Sequence, residues 1–106
     1  VEDEENDDIE PTRSSLDDAD SVSLIVNLLS SIGNKPYVRG EGAGLSWDRG
    51  VEMRFVEIGI WEWGASEVEE PIRARIYLND KISAFGEDIE LNAGEQIEVT
   101  PEFQEP

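Results

Sequence analysis

Short runs of alternating apolar and polar residues, each closed by Gly, Asn, Asp or Pro, fill this chain from Val22 to Val99. Alternation at period two places every second side chain on one face of an extended strand, so the pattern selects β structure half-buried against a core. In SVSLIVNLLS, Val22, Leu24, Val26 and Leu28 alternate with Ser23, Ile25 and Asn27. Leu24, Leu28 and Leu29 would also suit a helical face, but the window is short and Ser-rich, and Gly33-Asn34 closes it, which favours a strand. Tyr37 and Val38 form a further short run, VEMRFV sets Val51, Met53 and Phe55 against Glu52 and Arg54, and IWEW follows the break at Gly59. IRARIYL is the clearest strand, with Ile72, Ala74, Ile76 and Leu78 opposite Arg73, Arg75 and Tyr77. Asn79-Asp80, two residues that tolerate positive φ, predicts a hairpin turn into the run from Ile82 to Phe85. Ile89 and Leu91 make a short strand, Asn92-Ala93-Gly94 turns the chain, and QIEVT supplies the last strand before Pro101. Seven to eight short strands without a helix predict an all-β fold, an immunoglobulin-like antiparallel β-sandwich, with a barrel of the same strands as the alternative.

The first twenty residues differ in kind. They hold ten acids and one base, with Val1, Ile9, Leu16 and Ala19 as their only apolar interruptions. Too little apolar surface is available there to offset ordering entropy, which predicts a disordered acidic tail or linker over 1–20 and a β-sandwich domain over 21–106. The start VEDEENDD lacks an initiator Met, a basic n-region and an apolar h-region, as expected of a processed or excised start. With a formal net charge of −18, the chain repels nucleic-acid phosphates and anionic lipid, so neither nucleic acid nor membrane is expected as a partner. A basic protein is the partner that charge alone would select. The bland alternative is that the carboxylates serve solubility.

The sequence contains no Cys and no His, which removes Ser-His and Cys-His nucleophile pairs and imidazole or thiolate metal ligands. GEGAG spaces its glycines as G-x-G-x-G, carries Glu41 and precedes no helix, so it reads as a sharp loop and not as a dinucleotide fingerprint. Carboxylates such as Glu67, Glu69, Glu70, Glu87 and Asp88 are too common here to define an acid/base pair, and none follows the spacing of a calcium loop. No catalytic residue, metal or cofactor is therefore expected, and exposed charge is the default for these acids.

The aromatic residues Tyr37, Trp47, Trp61, Trp63 and Tyr77 are concentrated in the middle of the chain. Trp61 and Trp63 share one strand face beside apolar runs and fit a core role. Trp47 follows a glycine-rich polar loop, where an indole can offer its flat apolar face to the C–H bonds of a sugar ring while neighbouring polar groups bind hydroxyls. Arg39, Arg75 and Asn79 are the candidates for those polar contacts, with Tyr77 as a further ligand-binding aromatic.

In order and type of residues, the segment from about Asn34 to Phe103 resembles the starch- and glycogen-binding sandwiches, including the glycogen-binding domain of AMP-activated kinase β subunits and related bacterial starch-binding modules. PYVRGEGAGLSW looks like that family's strand and loop ending in a sugar-stacking Trp, here Trp47, and DRGVEM like the turn and apolar pair that follow. IWEW resembles the strand that often opens with Trp. RARIYLNDKI resembles the strand-hairpin in which a basic residue, here Arg75, precedes an Asx turn, here Asn79-Asp80. The family commonly places a second stacking aromatic just after this hairpin, where Ile82 stands in this chain. The resemblance implies a non-catalytic module that takes an α-glucan or oligosaccharide on Trp47, oriented by Arg75 and Asn79. The competing expectation from the residues is an interaction domain that docks a partner protein domain or a basic protein.

Overall fold

The structure, a computed structural model, describes residues 12–29 and 33–103. The described residues form ten strands and no helix: β1 (Thr12–Ser15), β2 (Val22–Asn27), β3 (Pro36–Glu41), β4 (Val51–Glu52), β5 (Arg54–Glu57), β6 (Ile60–Ala65), β7 (Ile72–Leu78), β8 (Ile82–Ser83), β9 (Ile89–Leu91) and β10 (Glu95–Val99). One sheet has the order β1-β10-β2-β6-β5. The other has the order β4-β3-β7-β8, with β9 also paired to β7. Every pairing is antiparallel except that of β10 with β2.

The alternating patterns dictate which face goes inward. On β7, Ile72, Ala74 and Ile76 are buried, whereas Arg73, Arg75 and Tyr77 point away. On β3, Pro36, Val38 and Gly40 are buried against them, with Tyr37, Arg39 and Glu41 on the outer face. Val22, Leu24 and Val26 of β2, and Ile97 and Val99 of β10, come from the other sheet into the same core cluster, which also takes in Met53, Val68, Ala84 and Leu91. The architecture is thus all-β and sandwich-like, with both sheets contributing to one apolar interior. Trp61 and Trp63 are half-buried against that interior, as their strand positions predict, and the Trp61 indole N–H donates to the Leu28 carbonyl at 3.3 Å.

Gly40 lets the central strands of the second sheet meet. A Cβ built there would collide with the Arg73 carbonyl oxygen on β7 and lie 3.0 Å from the Ala74 Cα. Both obstacles are backbone, so no rotamer change relieves the clash.

The fold departs from the sequence expectations in three places. Among the described residues the strands number ten, beyond the seven to eight expected, in part because Thr12–Ser15, expected to lie in a disordered tail reaching residue 20, pairs with β10 as an edge strand. All four of its side chains are exposed, so no apolar periodicity could reveal it. Main-chain bonds from Leu16 to Gly94, Gly94 to Ser21 and Val68 to Asp20 hold the following residues against the domain. The rest of the predicted tail, residues 1–11, lies outside the described residues. Second, VEMRFV is not one strand in one sheet. Val51 pairs with Val38 in the second sheet, Phe55 pairs with Trp61 in the first, and the chain crosses between them at Met53, which is 2% exposed. Third, the run from Ile82 to Phe85 is regular only at Ile82–Ser83, after which Ala84 bridges to Phe103.

Candidate functional site

The register of β3 against β7 gathers most of the candidate residues on the outer face of the second sheet. Arg39 lies opposite Arg75 and Tyr37 opposite Tyr77. Two arginines directly across an antiparallel pair repel unless each has its own counter-charge. Each has one: the Arg39 Nε donates to Asp80 Oδ1 at 2.7 Å, and the Arg75 Nε donates to Asp88 Oδ1 at 2.8 Å. The Arg39 guanidinium also stacks over the Tyr77 ring, 4.3 Å from its centroid, which covers one face of that ring with a cation.

Trp47 reaches this face through its loop. After β3 the chain turns at residues 42–45, where Leu45 N–H donates to the Gly42 carbonyl, and returns beside β3 with Gly40 N–H donating to the Ser46 carbonyl at 3.2 Å. The loop is then clamped from above. Arg39 Nη1 donates to the Trp47 carbonyl at 3.1 Å, its Nη2 to the Asp80 carbonyl at 2.8 Å, and the Gly50 N–H to the Asp80 carboxylate at 3.0 Å. Gly50 has to be small for this, because a Cβ there would meet the Tyr37 Cβ at 2.9 Å. The clamp fixes the backbone of Trp47 and leaves its side chain exposed, with the residue 37% accessible.

Asp80 comes from the predicted Asx turn. Asn79 and Asp80 take φ of 55° and 57°, and Lys81 N–H donates to the Leu78 carbonyl at 2.9 Å. Asn79, a candidate sugar ligand by sequence, has its side-chain oxygen accepting from Lys35 N–H at 3.0 Å and its amide donating to Asn34 Oδ1 at 2.9 Å. It ties the start of β3 to the hairpin. Arg75 uses Nε on Asp88 and Nη1 on the Ala84 carbonyl at 2.8 Å, which fastens the chain after β8. Arg75 also borders a cleft of about 510 Å³ whose described lining includes Ile76, Phe85, Ile89 and Val99 but none of Arg39, Trp47, Tyr77 or Asn79. The five candidates therefore separate: Arg39, Trp47 and Tyr77 form one contiguous group, Arg75 stands beside it on the sheet, and Asn79 braces the turn.

Sequence reasoning missed Asp80 as the anchor of the loop and Tyr37 as the partner of Tyr77. The carboxylate of Asp80 bonds residues 30 and 41 positions away, so no local pattern carries the signal. Tyr37 was within reach, because aligning YVR of β3 antiparallel to RIY of β7 puts each tyrosine opposite the other and each arginine opposite the other.

The Arg39 hydrogen bond holds the Asp80 carboxyl below the ordinary aspartate range against its partial burial, helped by the Gly50 N–H and the charges of Arg39 and Arg49. A folded-state value below the unfolded one means that the clamp's contribution is fully present above the unfolded aspartate value of about 3.9, and is lost as pH falls through the lower folded value. The Gly50 amide resonance is accordingly expected to titrate with a midpoint below about 3.9, and the step to vanish in Asp80→Asn. A midpoint at or above that value would contradict the clamp.

Among the described residues, no group of three or more acidic side chains converges to hold a metal ion. Compared with known protein families, curated proteins and solved structures, the chain matches none.

Proposed function

We propose that this chain is a non-catalytic carbohydrate-binding module of immunoglobulin-like β-sandwich type that holds an α-glucan by stacking a sugar ring on Trp47. The observation that carries the reading is the exposed indole on a loop whose backbone is clamped by Arg39 and Asp80. A stacking platform gains from such fixing, because the ordering entropy is already lost before the ligand arrives. Tyr37 and Tyr77 extend the aromatic character of the face beside it. Arg39, with Nε, Nη1 and Nη2 all bonded within the protein, acts as a positioning residue. Arg75, directed to Asp88 and the Ala84 carbonyl beside a cleft that Trp47 does not line, is left out of the sugar contact we assign to Trp47. A sequence without Cys or His fits a binding role better than nucleophilic chemistry.

A second reading, docking of a partner protein, draws on a different surface. Leu29, Phe55, Val56 and Ile58 are exposed near the outer edge of the first sheet, where apolar groups in water favour association. The two readings separate in native gels cast with and without glycogen. The acidic chain should be retarded by glycogen relative to a reference protein of similar charge. Equal mobility in both gels would overturn the glucan reading and leave docking.

A further inference from the structure

Beyond β5 the first sheet has no further strand among the described residues. This edge is exposed at all four of its positions, with Phe55 at 55% and Val56 at 44%, and Ile58 immediately after it at 82%. Unpaired N–H and C=O groups along such an edge are a template for another strand. Natural edges are blunted by charge or a bulge, and this one has both: Arg54 and Glu57 at its ends, and an irregularity between Phe55 and Glu57.

The irregularity has an unusual result. Arg54 pairs with Glu62 and Glu57 with Ile60, two positions apart on β6, while Phe55 pairs with Trp61 between them. Val56 is the extra residue. Arg54 and Glu57, three apart in sequence, are thereby brought to the same outer face of the sheet. A second R-F-V-E strand laid antiparallel across a two-fold axis between Phe55 and Val56 would set Arg54 of each copy against Glu57 of the other, and Phe55 of each against Val56 of the other. The strand is self-complementary in charge and in apolar surface, as an isologous contact requires.

We propose that β5 pairs with β5 of a second copy, joining the two first sheets into one continuous sheet. This contact is independent of glucan binding, since the outer face that carries Trp47 belongs to the other sheet. Because each copy has a formal charge of −18, the wider repulsion opposes the contact even though its local pairs attract. Screening therefore strengthens the dimer, the reverse of an interface driven by net charge.

Sedimentation equilibrium of the full chain tests this at about 0.01 M and about 0.15 M NaCl, between which the Debye length falls from about 30 Å to about 8 Å, enough to screen the repulsion between whole copies while charges in direct contact still attract. The expected result is a monomer of 11.9 kDa at low salt and a species of twice that mass at high salt. Glu57→Arg alone should dimerise about tenfold more weakly, because it sets Arg against Arg twice. Arg54→Glu alone should do the same by setting Glu against Glu. An equimolar mixture of the two variants should recover the dimer, since each then meets its opposite. A chain that is monomeric at both salts overturns the proposal, as does a Glu57→Arg variant that dimerises like the wild type. Arg54→Glu also loses its ion pair with Glu62 inside the copy. If that variant fails to fold, the Glu57→Arg result decides alone.

Discussion

Gly40→Ala is expected to lower the stability of the domain by about 3 kcal/mol, at the upper end of the usual overpacking penalty. The added methyl has nowhere to go. It enters the van der Waals shell of the Arg73 carbonyl and Ala74 Cα, both parts of the strand with which β3 shares six registered pairs. Relief requires β3 and β7 to separate, and their separation opens the core at Val38, Ala74 and Ile76, each at most 1% exposed. Single domains are stable by only about 5–15 kcal/mol in total, so the loss is a large fraction of the whole. Urea unfolding followed by Trp emission should show the midpoint falling by about 1–3 M with little change in slope. An unchanged midpoint would mean that β3 and β7 do not approach as closely as the structure places them.

Trp47→Ala should act in the opposite manner, with a small effect on stability and a large one on binding. The residue is 37% exposed and lies outside the core cluster, so its removal creates no sealed cavity. The bond from Arg39 goes to its main-chain carbonyl, which alanine keeps. What is lost is the flat apolar face, and aromatic contact of this kind contributes about 1–3 kcal/mol, or roughly fivefold to 150-fold in affinity. Ile82 stands where the resembling family often has a second stacking aromatic, and the exposed Phe85 that follows lines the cleft beside Arg75, which Trp47 does not border.

The parts of the fold that the sequence made legible are those in which burial alternates residue by residue. β7 has Ile72, Ala74 and Ile76 inward and Arg73 and Arg75 outward, and the Asx turn after it follows from the backbone freedom of Asn79 and Asp80. β1 was hidden because its place depends on main-chain pairing with β10 and on Arg13 reaching Glu95 and the Glu90 carbonyl, none of which leaves an apolar trace. The division of VEMRFV was hidden for a different reason. Its alternation runs unbroken from Val51 to Phe55, and only the buried crossing at Met53 shows that its two halves belong to different sheets.

The candidate site divides along the same line. Trp47 could be read locally, since a glycine-rich polar loop is a poor place to bury an indole. The roles of its neighbours could not, because they are set by contacts across the sheet. Arg39 was read as a hydrogen-bond donor to ligand, and the structure shows its three guanidinium nitrogens bonded to Asp80 and the Trp47 carbonyl. Asn79 was read the same way, and it braces Lys35 and Asn34. Both readings rest on residue type, and type alone does not say whether a donor faces solvent or the protein.

Stacking of a glucan on Trp47 is tested by Trp emission during titration with maltoheptaose, comparing the wild type with Trp47→Ala. Trp61 and Trp63 remain in the variant as reporters that the fold is intact. A saturable change is expected in the wild type and none in the variant, whose resting emission still shows two half-buried indoles. A wild type that does not respond, or a variant that responds as the wild type does, would contradict stacking on Trp47.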